Sequence, residues 1–278
     1  MPLFAFSQVD VFSPRAGKGN PLAVVHDAGG LDDAAMQGFA AWTNLSETVF
    51  LLPPTRPAAD YLVRIFTPVR ELPFAGHPTL GACHAWLEAG GEPQSETIVQ
   101  ECGAGLVRIR REGERLAFAA PELAQADVPV ADYAKLAAVL GIPAGSIRAA
   151  RKLSDLAPCW IGVLLASGAE VLAVQVDHAA LADDIGVAGP WLDGEAEGEA
   201  DYEVRAFSPE IATEDPVTGS LNAGLARWLI GAGIAPARYV AAQGTCLGRE
   251  GRVHVAYDGA DYWIGGESIT CIKGTLTL

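Results

Sequence analysis

Residues 61–87 read Tyr61-Leu-Val-Arg-Ile-Phe-Thr-Pro-Val-Arg-Glu-Leu-Pro-Phe-Ala-Gly-His-Pro-Thr-Leu-Gly-Ala-Cys-His-Ala-Trp-Leu87, and the chain writes this stretch again, altered, at 202–229. The second copy opens Tyr202-Glu-Val-Arg-Ala-Phe-Ser-Pro209 and closes, like the first, on Trp-Leu. The tyrosines lie 141 positions apart and the tryptophans 142, so the alignment allows one extra residue in the connection. A spacing of half the chain makes the repeat domain-sized, far longer than a solenoid period. In each copy the opening residues alternate: Tyr61, Val63 and Ile65 oppose Leu62 and Arg64, and Tyr202, Val204 and Ala206 oppose Glu203 and Arg205. Period two predicts a strand. A Pro and a Gly-containing turn follow. Leu80, Cys83 and Leu87, then Leu221, Leu225, Trp228 and Leu229, recur at helical spacing. Each copy therefore reads strand, tight loop, helix.

Working outward, residues 4–12, 22–26, 48–52, 98–101, 106–110, 160–165, 171–176, 253–257 and 269–278 read as extended. Residues 31–42, 131–140 and 179–184 read as helical. The Pro- and Ala-rich stretch 119–129 reads as the hinge between two related domains, residues 1–120 and 121–267, with the C-terminal strand near 268–278 returning to the first.

With 278 residues, half of them apolar and 19% charged, the chain has enough material for two cores. Net charge is −15 and the basic residues form no cluster, which argues against a nucleic-acid partner. The run from Asp193 to Glu203, with Glu195, Glu197, Glu199 and Asp201 among small residues, reads as a solvated acidic loop. No apolar run is long enough for a membrane helix, and Met1-Pro-Leu-Phe4 does not resemble a secretory leader. Five scattered cysteines without a Cys-x-x-Cys spacing fit reduced cytoplasmic thiols better than disulfides or a metal site. Gly17-Lys-Gly-Asn20 and Gly103-Ala-Gly105 lack the third glycine and following helix of a dinucleotide fingerprint.

A loop that feeds a helix N-terminus presents unpaired N–H groups and the positive end of the helix dipole, a setting for a carboxylate or phosphate. Residues 74–79 and 215–220 are such loops, and Gly76 and Gly219 let a ligand approach the backbone. If a pseudo-two-fold axis relates the halves, the two helix ends face one cleft, and an acidic protein can still hold a small acid there. Glu47 precedes the apolar run Thr48-Val-Phe-Leu-Leu52. Against apolar neighbours its carboxyl would titrate high and could accept and return a proton near neutral pH; the plainer reading is an exposed charge at a strand start. His77 and Asp215, one per repeated loop, are the other titratable candidates, and Asp215 before Pro216 is equally the start of a turn.

Six segments taken together resemble the PhzF-like (phenazine-biosynthesis-like) family, which shares the diaminopimelate epimerase fold. They are Gln8-Val-Asp-Val-Phe12, Gly19-Asn-Pro-Leu-Ala-Val-Val25, Asn44-Leu-Ser-Glu-Thr-Val-Phe50, Arg64-Ile-Phe-Thr-Pro68, Phe74-Ala-Gly-His-Pro-Thr79 and Glu214-Asp-Pro-Val-Thr-Gly-Ser220. Gln243-Gly244 and Gly248-Arg249 are also similar, whereas Glu250-Gly251 departs from the family's usual Pro-Ser. The resemblance implies an α/β (α+β) fold of two pseudo-symmetric domains, each a curled mixed sheet around a central helix, with the active site between them. It implies a cofactor-independent isomerase, without a metal, that acts by acid–base proton transfer on a small carboxylate, and commonly a homodimer. Glu47 is then the proton shuttle, His77 and Asp215 complete the catalytic set, and Ser46, Gly76, Thr218, Gly219 and Ser220 bind substrate. Ala75-Gly76-His77 and Asp215-Pro216 stand where the epimerase carries its two cysteines, which argues against a two-thiol racemase. The rival is a non-catalytic member of the fold that binds a small acid or a protein.

Overall fold

The computed structural model describes residues 2–122, 124–153, 159–191, 200–210 and 213–278. The chain divides into two compact units, Met1–Ala119 with Gly265–Leu278, and Ala120–Ile264.

The first unit runs β1 (Leu3–Val11), β2 (Asn20–Val25), α1 (Asp33–Thr43), β3 (Thr48–Leu52), β4 (Tyr61–Phe66), β5 (Glu71–Leu72), α2 (Gly76–Glu88), β6 (Ile98–Cys102), β7 (Gly105–Glu112) and β8 (Arg115–Ala119). Antiparallel β1–β2, parallel β2–β3, antiparallel β3–β4, parallel β4–β6, and antiparallel β6–β7 and β7–β8 build one mixed sheet, with the short β5 folded back on β4. Helix α2 lies against β1, β2 and β3 at one end of this order and β8 at the other, so the sheet curls around it. Its residues Gly76–Cys83 and Ala85 are all buried, the mark of a helix enclosed on most sides.

The second unit contains β9 (Ala126–Asp127), α3 (Tyr133–Leu140), β10 (Ala149–Lys152), β11 (Ile161–Leu164), α4 (Gly168–Ala173), β12 (Ile185–Pro190), β13 (Tyr202–Ser208), β14 (Thr213–Asp215), α5 (Gly219–Gly231), β15 (Arg238–Gln243), β16 (Gly251–Tyr257) and β17 (Tyr262–Gly266). Its pairings follow the same directions: antiparallel β10–β11, parallel β11–β12, antiparallel β12–β13 and β13–β14, parallel β13–β15, antiparallel β15–β16. The last strand, β18 (Ser268–Thr277), pairs antiparallel with β1 of the first unit, as β9 does with β10 in the second. Helix α5 is buried along most of its length, from Gly219 through Leu229.

Side-chain detail repeats as well. Asp60 Oδ2 accepts the Val99 N–H at 2.7 Å, and Asp201 Oδ2 accepts the Val240 N–H at 2.7 Å. Arg64 forks onto Glu71 (2.8 and 2.6 Å) and Arg205 onto Glu214 (3.1 and 2.7 Å). These hairpins correct the register of the second half of the repeat. Phe66 faces Glu71 and Phe207 faces Glu214, and the helices open on Gly76 and Gly219, 143 positions apart. The connection is thus two residues longer in the second copy, and His77 occupies the helical position of Ser220.

Three further expectations change. Residues 171–176 are not extended: Ser167 caps α4 by accepting the Glu170 N–H at 3.2 Å, and Glu170 Oε2 reaches back to the Ala166 N–H at 3.1 Å. This reciprocal cap overrides the β-branched Val171. Residues 179–184 form no helix, because Asp177 closes a turn on the Ala179 N–H (3.0 Å) and the Ala-rich stretch is too short to nucleate. Glu195, Glu197 and Glu199 of the acidic run lie outside the described residues, while Asp201 ties β13 to β15 instead of being simply solvated.

Candidate active site

Helix α1 ends at Asn44, whose left-handed conformation (φ 54°) stops the helix, with its N–H bonded to the Ala40 carbonyl. Asparagine adopts this conformation at little cost. The Thr43 and Thr48 hydroxyls, 3.0 Å apart, latch the helix end to β3. Ser46 and Glu47 occupy the short link between them, both half-buried. β3 pairs with β2 on one side and β4 on the other, so the link is held by two strands.

Glu47 Oε2 lies 3.4 Å from Nδ1 of His77, with the carboxylate side chain 16% exposed and the imidazole 3%. His77 is the second residue of α2, and its N-cap, Ala75, has no side chain that bonds the helix end. Thr79 donates its N–H to the Ala75 carbonyl and Pro78 has none, so the Gly76 and His77 amides precede the first hydrogen-bonded turn. Gly76 is buried. Burial drives the His77 pKa down to about 3, with a hydrogen bond to the Pro21 backbone acting weakly the other way. The ring is neutral at pH 7, so its 3.4 Å contact with Glu47 is not an ion pair.

Asn20, missed among the candidates although it lies in a quoted motif, is fully buried with its amide nitrogen 3.5 Å from His77 Nδ1. It is placed by Asp10, whose Oδ2 accepts the N–H groups of Lys18 (2.8 Å) and Gly19 (2.9 Å). Beneath the same helix turn Gln100 donates to Thr79 Oγ1 at 3.0 Å and accepts from the Tyr61 hydroxyl at 3.1 Å.

In the second unit Asp215 ends β14 and is buried. Its Oδ2 accepts a short hydrogen bond from the Thr218 hydroxyl. Thr218, the N-cap of α5, donates its N–H to Gln243 Oε1 (3.1 Å), while Gln243 Nε2 donates to Thr218 Oγ1 (2.9 Å) and the Asp215 carbonyl (3.2 Å). Asn222 Nδ2 closes the network on Gln243 Oε1 at 2.9 Å. Gly219 is the buried first residue of α5. Next to it, Ser220 Oγ accepts from Trp160 Nε1 at 3.1 Å. The structure thus gathers Ser46, Glu47, Gly76 and His77 in one unit, and Asp215, Thr218, Gly219 and Ser220 in the other. Within each unit these hydrogen bonds fix the loop from which its central helix starts.

Of the five cysteines none belongs to either loop, and all are free thiols. Among the described residues no group of three or more His, Cys, Asp or Glu side chains is disposed to hold a metal ion, and no helix is long and apolar enough to cross a membrane.

The family model described as phenazine biosynthesis-like protein, PhzC-PhzF, matches residues 9–274. The chain belongs to this PhzF family. Antisense-enhancing sequence 1 of Schizosaccharomyces pombe is 37% identical, covering 97% of each chain. Trans-2,3-dihydro-3-hydroxyanthranilate isomerase of Pseudomonas aeruginosa is 32% identical over 95% of this chain and 92% of its own length. A Bacillus anthracis protein of the PhzF family superposes with a TM-score of 0.85 over both entire chains at 20% identity, which supports the fold. The PhzF fold, a mixed α/β architecture with few helices, is the one described above, and isomerase is the activity in the names of several relatives.

Proposed function

We propose that this PhzF-family protein is an isomerase that moves a proton within a small carboxylate-bearing metabolite, with Glu47 as the shuttle and no cofactor. The observation that carries the reading is the 3.4 Å contact between half-buried Glu47 and a buried, neutral His77. The Glu47 carboxylate takes a proton from a carbon made acidic by an adjacent unsaturated system, the electron pair spreads into that system, and the resulting carboxylic acid returns the proton to another carbon. No electron is gained or lost overall. His77, uncharged, polarises the substrate through a hydrogen bond without competing for the proton, and the amide groups opening α2 hold the carboxylate. In the second unit we assign Asp215, fixed by Thr218 and Gln243, a catalytic role and Thr218, Gly219 and Ser220 a substrate-binding one. A positioned acid–base contributes roughly 10²–10⁴ in rate, and preorganised donors about as much again. The near-identical topologies of the two units support an internal duplication, and a homodimer is proposed on the family resemblance alone.

The test is conversion of trans-2,3-dihydro-3-hydroxyanthranilate and a panel of unsaturated cyclic carboxylates, followed by proton NMR in D₂O on protein dialysed against a chelator. A double-bond shift that survives chelation is expected. A compound that binds saturably yet is recovered unchanged would instead favour the binding-protein reading.

A further inference from the structure

The second unit holds a cavity of about 350 Å³ that shares no residue with the α5 loop. Its floor is apolar: Val128, Leu136, Val139 and Ile185 are each less than a tenth exposed. Its rim carries Asp132 and Lys135 at the start of α3, Lys152 at the end of β10, and Asp183 before β12, all exposed.

Two features set this rim apart from an ordinary polar surface. The chain has only four lysines, Lys18, Lys135, Lys152 and Lys273, and two of them border this one hollow. In a protein of net charge −15, that rim sets two lysines beside two carboxylates. The volume lies at the lower end of the range for small-molecule sites, which pair an apolar lining with a few placed polar groups. A plain anion would meet Asp132 and Asp183, and a plain amine would meet the lysines. A molecule with an apolar body and both charges at one end satisfies floor and rim together.

We infer that this cavity binds a free α-amino acid with an apolar side chain, the side chain on the Val128–Leu136–Val139–Ile185 floor, the carboxylate toward Lys135 and Lys152, and the ammonium toward Asp132 and Asp183. The site is separate from the isomerase reading and does not depend on it.

Titration calorimetry of the intact protein tests the inference with L-leucine and L-phenylalanine, alongside 3-phenylpropionate (no ammonium), phenethylamine (no carboxylate) and glycine (no apolar body). Saturable binding of one of the two amino acids is expected, about tenfold or more tighter than each analogue that lacks a feature. The exposed substitutions Lys135→Met with Lys152→Met, and separately Asp132→Asn with Asp183→Asn, should each weaken it about tenfold while the thermal melt stays unchanged. Absence of saturable binding for both amino acids overturns the inference. So does binding indifferent to both pairs of substitutions, or phenylpropionate or phenethylamine binding as tightly as the amino acid.

Discussion

His77 and Glu203 are buried titratable side chains whose environments push them in opposite senses, and both make predictions in pH. The folded pKa of His77, about 3, lies below the ordinary 6.5 because burial penalises the charged ring. Between those values the unfolded chain binds the extra proton, so stability is complete above about pH 6.5 and declines as pH falls toward 3. Urea unfolding between pH 4 and 7 should show this loss, on the order of a few kcal/mol, and His77→Gln should flatten it. An equal slope in the variant would contradict the assigned burial. Glu203, 1% exposed on β13, is pushed up to about 7 mainly by burial, opposed by hydrogen bonds from Thr245 and Trp191. The folded state holds its proton where the unfolded chain has lost it, so this contribution is present below about pH 4.5 and is lost as pH rises through 7. Glu203→Gln should therefore be stabilised relative to wild type at pH 8 compared with pH 5, by roughly 2 kcal/mol; denaturant midpoints at the two pH values measure it.

At the scale of elements, the central helices approach their sheets through a glycine at the same helical position, Gly81 in α2 and Gly224 in α5. A methyl on Gly81 would meet Leu22 Cδ2 at 2.5 Å and Val11 Cγ2 at 2.8 Å, and one on Gly224 would meet Leu153 Cβ at 2.7 Å. The end of a leucine side chain can rotate away, but a Cβ moves only with its backbone. Gly224→Ala should thus cost more than Gly81→Ala, each within about 1–3 kcal/mol, as thermal unfolding would record; a stabilised Gly224→Ala would refute the close approach. The sequence made the two central elements legible because strand alternation and helical spacing recur with the same turn between them. The connection register was not legible, since Trp86 and Trp228 suggest an offset one residue short of the one the helix starts define. The helix at 168–173 announced itself through Ser167 and Glu170, a signal outweighed in the reading by Val171. Short strands such as Ile185–Pro190, rich in Gly and Ala, carry no pattern that separates them from loop.

For the whole molecule, the candidate residues were named largely by resemblance, and the structure adds what fixes them: Asn20 and Asp10 for His77, Gln243 and Asn222 for Thr218, Trp160 for Ser220. Buried amides of this kind have no periodicity, so one sequence does not disclose them. Asp215→Asn and His77→Gln should each reduce kcat/KM while the thermal melt shows a folded protein. The most direct test of the central claim is the rate of proton transfer in Glu47→Gln, measured on a compound that the wild type isomerises, with folding checked by the thermal melt. A loss of at least about 10³-fold with substrate binding retained is expected. Turnover within about tenfold of wild type would mean that another group carries the proton.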